Sequence, residues 1–440
     1  MEQQLCAGLA SIDITPPAGM ELAGYPHYPR HNTGAHDPLM ATCLFLTDGK
    51  TSAMAIGLDL LFFSKKYVAS VRRRIEAATG IPGKNVMFCC SHTHSGPWTS
   101  GRLDLESLLS GVRQDSAYIE ELCDKITFAA ISAYRTAFFC EIGFAKEPCG
   151  HEQGIGGNRR DPVGGPCDPN VYVLSVRDMT GTVRGLLVNY AVHPTLLHAD
   201  NTLCSADYPG YIRACLRENF PHATMVFGIG AIGDQSSRYF RNGQTFGEAK
   251  RFGYTIGNAV KNAVQRTVYS KNAAISVRSA TVDLKLRKLP SKSDAERRLC
   301  EKKAEYEALV ARQASYIEIQ NANVALLGAE DILGYVLMQE QNRPLELVAD
   351  ELPAEVSLFT VGDIHIANFP GEMFMGIAHM IRQCANVENL IINNITNGCL
   401  PGYVYTKEDE ALGGYEVDTS LLSPDAGYEM ADALLSLFLN

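Results

Sequence analysis

Asn85-Val86-Met87-Phe88-Cys89-Cys90-Ser91-His92-Thr93-His94-Ser95-Gly96-Pro97 joins two signals in one stretch. Its first half is a short apolar run of the kind that forms a fully buried strand. Its second half is a polar turn, closed by Gly96-Pro97, carrying two histidines two positions apart. Just beyond a strand, alternation could aim both rings at one pocket. Upstream, Val68, Val71 and Ile75 recur at helical spacing within Lys65–Thr79, and Gly80 and Pro82 supply the stop. A helix followed by a strand with chemistry-bearing residues at its end is an α/β pattern, with function expected at strand ends.

Working outward, residues 41–46 and 53–58 flank the turn Asp48-Gly49-Lys50 and predict a hairpin. Ser116–Arg135 reads as a helix, and residues 171–176, 184–191 and Thr224–Ile229 as strands. Residues 355–360, Ile364–Asn368 and 390–395 read as further strands, with a helix over 373–384. Residues 149–170 are too rich in glycine and proline to form an element, and such segments are more often functional or mobile than filler. Residues 291–341 are charged and helical. The expected fold is α/β, with mixed β-sheet layers flanked by helices, built as one domain over 1–440 with a helical insertion at 291–341.

Composition narrows the classes of function. A chain of 440 residues with 46% hydrophobic and 20% charged residues is ordinary globular material, with no apolar run long enough to cross a membrane. A formal charge of -10 argues against a general nucleic-acid binder. The 13 cysteines include no C-x-x-C pair, which speaks against a disulfide framework and against a thiolate zinc cluster. The N-terminus has no basic segment leading into an apolar core, so a cytoplasmic protein acting on a small molecule is expected.

Five further motifs could carry chemistry. His193 ends one predicted strand before Pro194, and Glu372 follows another in Asn368-Phe369-Pro370-Gly371-Glu372. Taken singly, His193 fits a structural histidine and Glu372 a helix N-terminal carboxylate. Gly233-Asp234-Gln235-Ser236 is either a nucleophile turn or a plain turn, and it lacks the G-x-S-x-G pattern of the hydrolase elbow. Arg159 and Arg160 lie in the glycine-rich loop, and Tyr403 and Tyr415 in a Gly/Pro/Tyr-rich segment; solvated arginines and packed tyrosines are the plain readings.

In their order along the chain, these motifs resemble the neutral/alkaline non-lysosomal ceramidase family of zinc-dependent amidases. The resemblance begins at Ala7-Gly8-Leu9-Ala10-Ser11-Ile12-Asp13-Ile14-Thr15-Pro16 and Gly34-Ala35-His36-Asp37. It continues through Ser91–Pro97, Asn158-Arg159, Ala191-Val192-His193-Pro194-Thr195 and Gly233–Ser236. It ends with Phe369-Pro370-Gly371-Glu372 and Gly402-Tyr403…Gly414-Tyr415-Glu416. It implies a ceramidase-like catalytic domain with His92, His193, Glu372 and Tyr403 as zinc ligands. His94 would shuttle a proton, Arg159 and Tyr415 would donate to the substrate, and Ser236 would be nucleophile or positioning group. Two imidazoles, a carboxylate and a phenol oxygen suit Zn²⁺ with a position left for water.

The implied reaction is amide (N-acyl) hydrolysis through zinc-bound water. Ester or lactone hydrolysis at the same site, or a non-catalytic metal-binding homologue, are the alternatives. Asp37 or Asp59 would be the expected partner orienting a ligating imidazole. Ser237 and Arg238 replace the proline and asparagine of the family's serine motif, pointing to a substrate more polar or acidic than ceramide. Few residues follow Glu372, so the family's C-terminal β-sandwich is not expected within this sequence.

Overall fold

The turn at Asp48 sets the register of the first hairpin. Its Oδ1 accepts from Lys50 N at 2.8 Å and Thr51 N at 2.7 Å, while Gly49 takes the positive φ of 84° that glycine permits. In the computed structural model, which describes residues 4–99, 115–341, 350–400 and 402–439, this hairpin belongs to a nine-stranded sheet. The chain enters through Cys6–Asp13 (β1), Met40–Thr47 (β2), Ser52–Leu58 (β3) and Val86–Cys90 (β4). Then come Phe138–Pro148 (β5), Gly157–Asn158 (β6), Asn170–Asp178 (β7), Val183–Tyr190 (β8), Thr224–Ile229 (β9), Gln235–Ser236 (β10) and Val268–Ser270 (β11). The last strands are Ile275–Val282 (β12), Ala354–Val361 (β13), Ile364–Asn368 (β14), Glu372–Met373 (β15), Leu390–Asn393 (β16) and Tyr403–Val404 (β17).

The large sheet runs β4-β3-β2-β1-β5-β7-β8-β9, with β11 also on β5. β1 and β5 share only the pairs Cys6–Phe139 and Ala7–Phe138, so the sheet turns sharply there and its two halves face each other. β9 returns against β3: a Cβ at Gly57 would stand 3.1 Å from Val226 Cγ1. Cys89 Sγ donates to carbonyls on both sides of that contact, Ile56 O and Phe227 O. The second sheet, β12-β13-β14-β16, is tied on through Asn189, whose amide donates to Ile392 O and Asn393 Oδ1. The expected α/β architecture of mixed sheets with flanking helices is therefore present.

Parallel pairs fix where function can sit. β3–β4, β8–β9 and β14–β16 are each parallel, and loops leave their C-terminal ends together. Helix Lys65–Thr79 buries the stripe Val68, Val71 and Ile75 and ends at Gly80, whose φ of 76° closes it onto Glu76 O. Helices Tyr208–Asn219 and Phe246–Arg266 pack closely because Gly253 and Gly257 have no side chain; a Cβ on Gly253 would lie 2.4 Å from Tyr211 Cβ. The charged segment forms two antiparallel-packed helices, Lys292–Ala311 and Tyr316–Glu340, each capped by a serine hydroxyl.

Two details differ from the expectation. The helix expected from 373 starts at Met375, because Glu372 and Met373 pair with Tyr403 and Val404 in a two-residue parallel ladder. The 149–170 loop contains a short 3₁₀ turn at His151–Gln153 and the bridge strand β6.

Candidate metal centre and active site

Strand ends deliver the histidines. Ser91 N donates to Leu58 O and His92 N to Leu60 O, which bends the chain out of β4 and leaves His92 at a φ of 64°. A histidine in that left-handed region is uncommon and concentrates at functional sites. His193 follows β8, bridged through its backbone to Ser236. Glu372 and Tyr403 face each other across the β15–β17 pair, so one short ladder places a carboxylate beside a phenol.

Hydrogen bonding orients all three rings. Nδ1 of His92 lies 3.0 Å from Leu61 O, Nδ1 of His94 lies 2.9 Å from Gly24 O, and Nδ1 of His193 lies 2.8 Å from Ile232 O. Carbonyl oxygens only accept, so each Nδ1 carries the proton and each Nε2 of the neutral ring presents a lone pair. The rings converge: one nitrogen from each of the three lies within 4.8 Å of the others, a grouping able to hold a metal ion. Glu372 Oε2 sits 3.1 Å from His193 Nε2 and 3.6 Å from His92 Nε2. Acceptors facing acceptors in a buried site are unfavourable unless something positive lies between them.

Electrostatics agree with this picture. Burial, opposed in part by Glu372, pushes His92 down to about 4. Burial together with Arg159 pushes His193 down to about 3, and burial with the neighbouring imidazoles takes His94 well below the usual value. The rings are therefore neutral, the form that binds a metal. Burial raises the Glu372 carboxyl, against the pull of His92 and Arg159. His94 Nε2 and Glu372 Oε2 have no hydrogen-bond partner among the described residues. A buried set of imidazole nitrogens and one carboxylate, with orphaned atoms at its centre, fits a zinc-type ion.

The orienting partners correct one expectation. Among the described residues, neither Asp37 nor Asp59 hydrogen-bonds an imidazole of the cluster; backbone carbonyls take that place. Asp37 accepts from Ser205 Oγ and Ala206 N, and Asp59 accepts from Arg213 at 2.7 Å and Met40 N at 2.9 Å. Both carboxylates are consumed in tying the 205–207 loop and helix Tyr208–Asn219 to β2 and β3.

The remaining candidates surround the cluster. Arg159 Nε lies 2.7 Å from Glu416 Oε1, its Nη2 donates to Gly233 O, and its guanidinium stands 5.2 Å from the Tyr403 ring centre. Burial alone would lower its pKa, but Tyr403 and Glu416 hold it above the ordinary arginine range. Arg160 points the other way, to the second oxygen of Glu416 at 3.0 Å. Tyr415 opens helix Tyr415–Thr419 with its ring 6.1 Å from that of Tyr403. Ser236 Oγ accepts from Arg238 N at 3.1 Å, and among the described residues no histidine nitrogen hydrogen-bonds it.

A cavity opens from His94 and His193 past Arg159, Ser236, Tyr403 and Tyr415. Helix Tyr316–Glu340 supplies one wall through Tyr316, Gln320, Asn323, Val324 and Leu327, and Asn323 donates to Tyr28 OH across the opening. Sequence reasoning left out this wall, the Gly24-Tyr25 loop and Glu416. Only Glu416 had a signal, as the residue following Tyr415 in its motif.

Comparison of folds places the chain in a defined class. It has the ceramidase-like fold. A neutral ceramidase from Pseudomonas aeruginosa superposes with a TM-score of 0.75 at 18% identity, over 100% of this chain and 75% of that one. A ceramidase complexed with C2 gives a TM-score of 0.74 at 17% identity, over 99% of this chain and 75% of that one. No protein-family model matches the sequence, and no curated protein matches it. Among the described residues, no helix is long and apolar enough to cross a membrane.

Proposed function

We propose that the chain is a zinc-dependent hydrolase that uses water to cleave an amide (N-acyl) bond in a small, polar substrate, forming a carboxylate and an amine. The observation that carries this reading is the clustering of ring nitrogens from His92, His94 and His193 within 4.8 Å of one another, with Nε2 of His92 and of His193 facing the Glu372 carboxylate. His92, His193, Glu372 and Tyr403 would hold the ion. When bound, zinc supplies a Lewis acid and brings the pKa of a coordinated water to roughly 7.

The chain's own groups account for the rest. His94 exchanges protons through Nε2 alone, because its Nδ1–H stays on Gly24 O; it takes the proton from the attacking water and returns it to the leaving amine. Arg159, kept charged by Glu416, and the Tyr415 phenol donate to the amide oxygen as charge develops there. Ser236 Oγ already accepts from Arg238 N, which frees its O–H to donate to substrate; with no imidazole base on it, it positions rather than attacks. Arg159 and Tyr415 would be superfluous in a merely structural metal site. That favours catalysis over passive binding.

Parallel assays of zinc-loaded protein on matched N-acyl amides and esters test the proposal. Zinc-dependent amide cleavage that disappears in His94→Ala while zinc is retained is expected. Ester cleavage without any amide cleavage would move the reaction to an esterase.

A further inference from the structure

Among its described lining residues, the cavity wall carries more positive than negative charge. Among its described lining residues are Arg159, Arg238 and Arg241, and none is an aspartate or glutamate. Arg159 is already compensated by Glu416. Arg241 is fixed to the wall by its backbone N–H on Ser237 O at 3.0 Å and by its side chain, Nη1 donating to Thr195 O at 2.6 Å. Arg238 is anchored through its backbone N–H on Ser236 Oγ. Among the described residues neither Arg238 nor Arg241 forms an ion pair, and both are half-buried, although, against the burial of the Glu416 carboxyl, Arg238 adds to the pull of Arg159 and Arg160 on it. Their field is felt by their neighbours: burial and then Arg241 depress His198 to about 4, so that ring adds no charge of its own.

A partly desolvated guanidinium with unused donors is a receptor for a planar, bidentate anion. Ser236 ties the placement to the reacting centre, since it lines the same cavity as His94 and His193 and precedes Arg238 by two residues. Across the opening, Val324 and Leu327 offer an apolar surface. We propose that the cavity takes an amide bearing a carboxylate close to the scissile bond, an N-acyl amino acid, with Arg238 and Arg241 binding the carboxylate and the insertion helix contacting the acyl chain. This rests on the amide reading of the site for the reaction, but not for the binding.

The test separates the two. Equilibrium binding of N-hexanoylglycine, its carboxamide N-hexanoylglycinamide and the corresponding aminomethylphosphonate would be measured by calorimetry on metal-free full-length protein, then turnover with zinc. The expected result is at least tenfold tighter binding of the acid than of the carboxamide. Arg238→Gln should erase that difference, and Arg238→Lys should restore it in part. Equal binding of acid and carboxamide, or a preference confined to the phosphonate, overturns the inference. A retained preference in both Arg238→Gln and Arg241→Gln does so too. Acid-selective binding without turnover upholds the carboxylate site and counts against the proposed hydrolysis. Indiscriminate turnover of acid and carboxamide upholds hydrolysis and overturns the carboxylate site.

Discussion

Substituting Gly24 by alanine separates the proton-carrying role proposed for His94 from the proposed metal binding. A Cβ on Gly24 would stand 2.4 Å from His94 Nδ1, 2.5 Å from its Cγ and 2.6 Å from its Cβ. Relieving that contact requires the ring to retreat by about 1 Å, and misplacement of a reacting group on that scale costs on the order of 10²-fold in rate. The loop cannot give way easily, because Arg30 pins it by donating to Ala23 O, His94 O and Asn201 O. Gly24 also has a φ of 96°, so alanine adds about 1–2 kcal/mol of backbone strain. Gly19, with a φ of 93° and nothing within 4 Å of its would-be Cβ, is the control that carries strain without the clash. Amide turnover at saturating zinc, zinc content and urea denaturation would be measured on both variants. We expect kcat to fall about 10²-fold in Gly24→Ala with zinc retained, and to hold in Gly19→Ala. Equal kcat in the two variants would refute the positional argument. Loss of zinc in Gly24→Ala would make His94 a ligand and refute the division of roles.

Ser236→Ala should keep kcat within about tenfold of wild type in the same assay, whereas losing a covalent nucleophile costs on the order of 10⁶-fold. Gly253→Ala should lower the urea midpoint: overpacking against Tyr208 O and Tyr211 costs about 1–3 kcal/mol, more than the roughly 1 kcal/mol that alanine gains in helix propensity. Asp48→Ala should destabilise at pH 7 by about 2 kcal/mol, since the carboxylate accepts from Lys50, Thr51 and Ile275 backbone N–H groups. Burial would raise the Asp48 pKa, but those donors together bring it below the ordinary 3.8. Its contribution is therefore present above that value and lost as pH falls through the depressed one. The difference between wild type and variant in denaturation curves should narrow there.

Much of this fold is legible in local pattern, where local pattern is what shapes it. Lys65–Thr79, Thr224–Ile229 and Ile364–Asn368 have the bounds expected from spacing and flanking turns. Helix Phe246–Arg266 escaped notice because Gly253 and Gly257 weaken its propensity, although their reason for being there is close helix packing. Phe138–Pro148 and Ile275–Val282 interleave charged or half-exposed residues and become strands only through their partners. The candidate site divides in the same way. Residues at strand ends, such as His92, His193 and Glu372, carry a sequence signal. The carbonyls that hold each Nδ1, and helix Tyr316–Glu340 that walls the cavity, come from distant segments, and no spacing encodes them.

The central claim is that His92, His193 and Glu372 hold zinc in a hydrolytic site. Elemental analysis of purified wild type beside His92→Ala and Glu372→Ala tests it most directly. Near-stoichiometric zinc in the wild type and a sharp fall in both variants are expected. A wild type that is metal-free and takes up no added Zn²⁺ would contradict it.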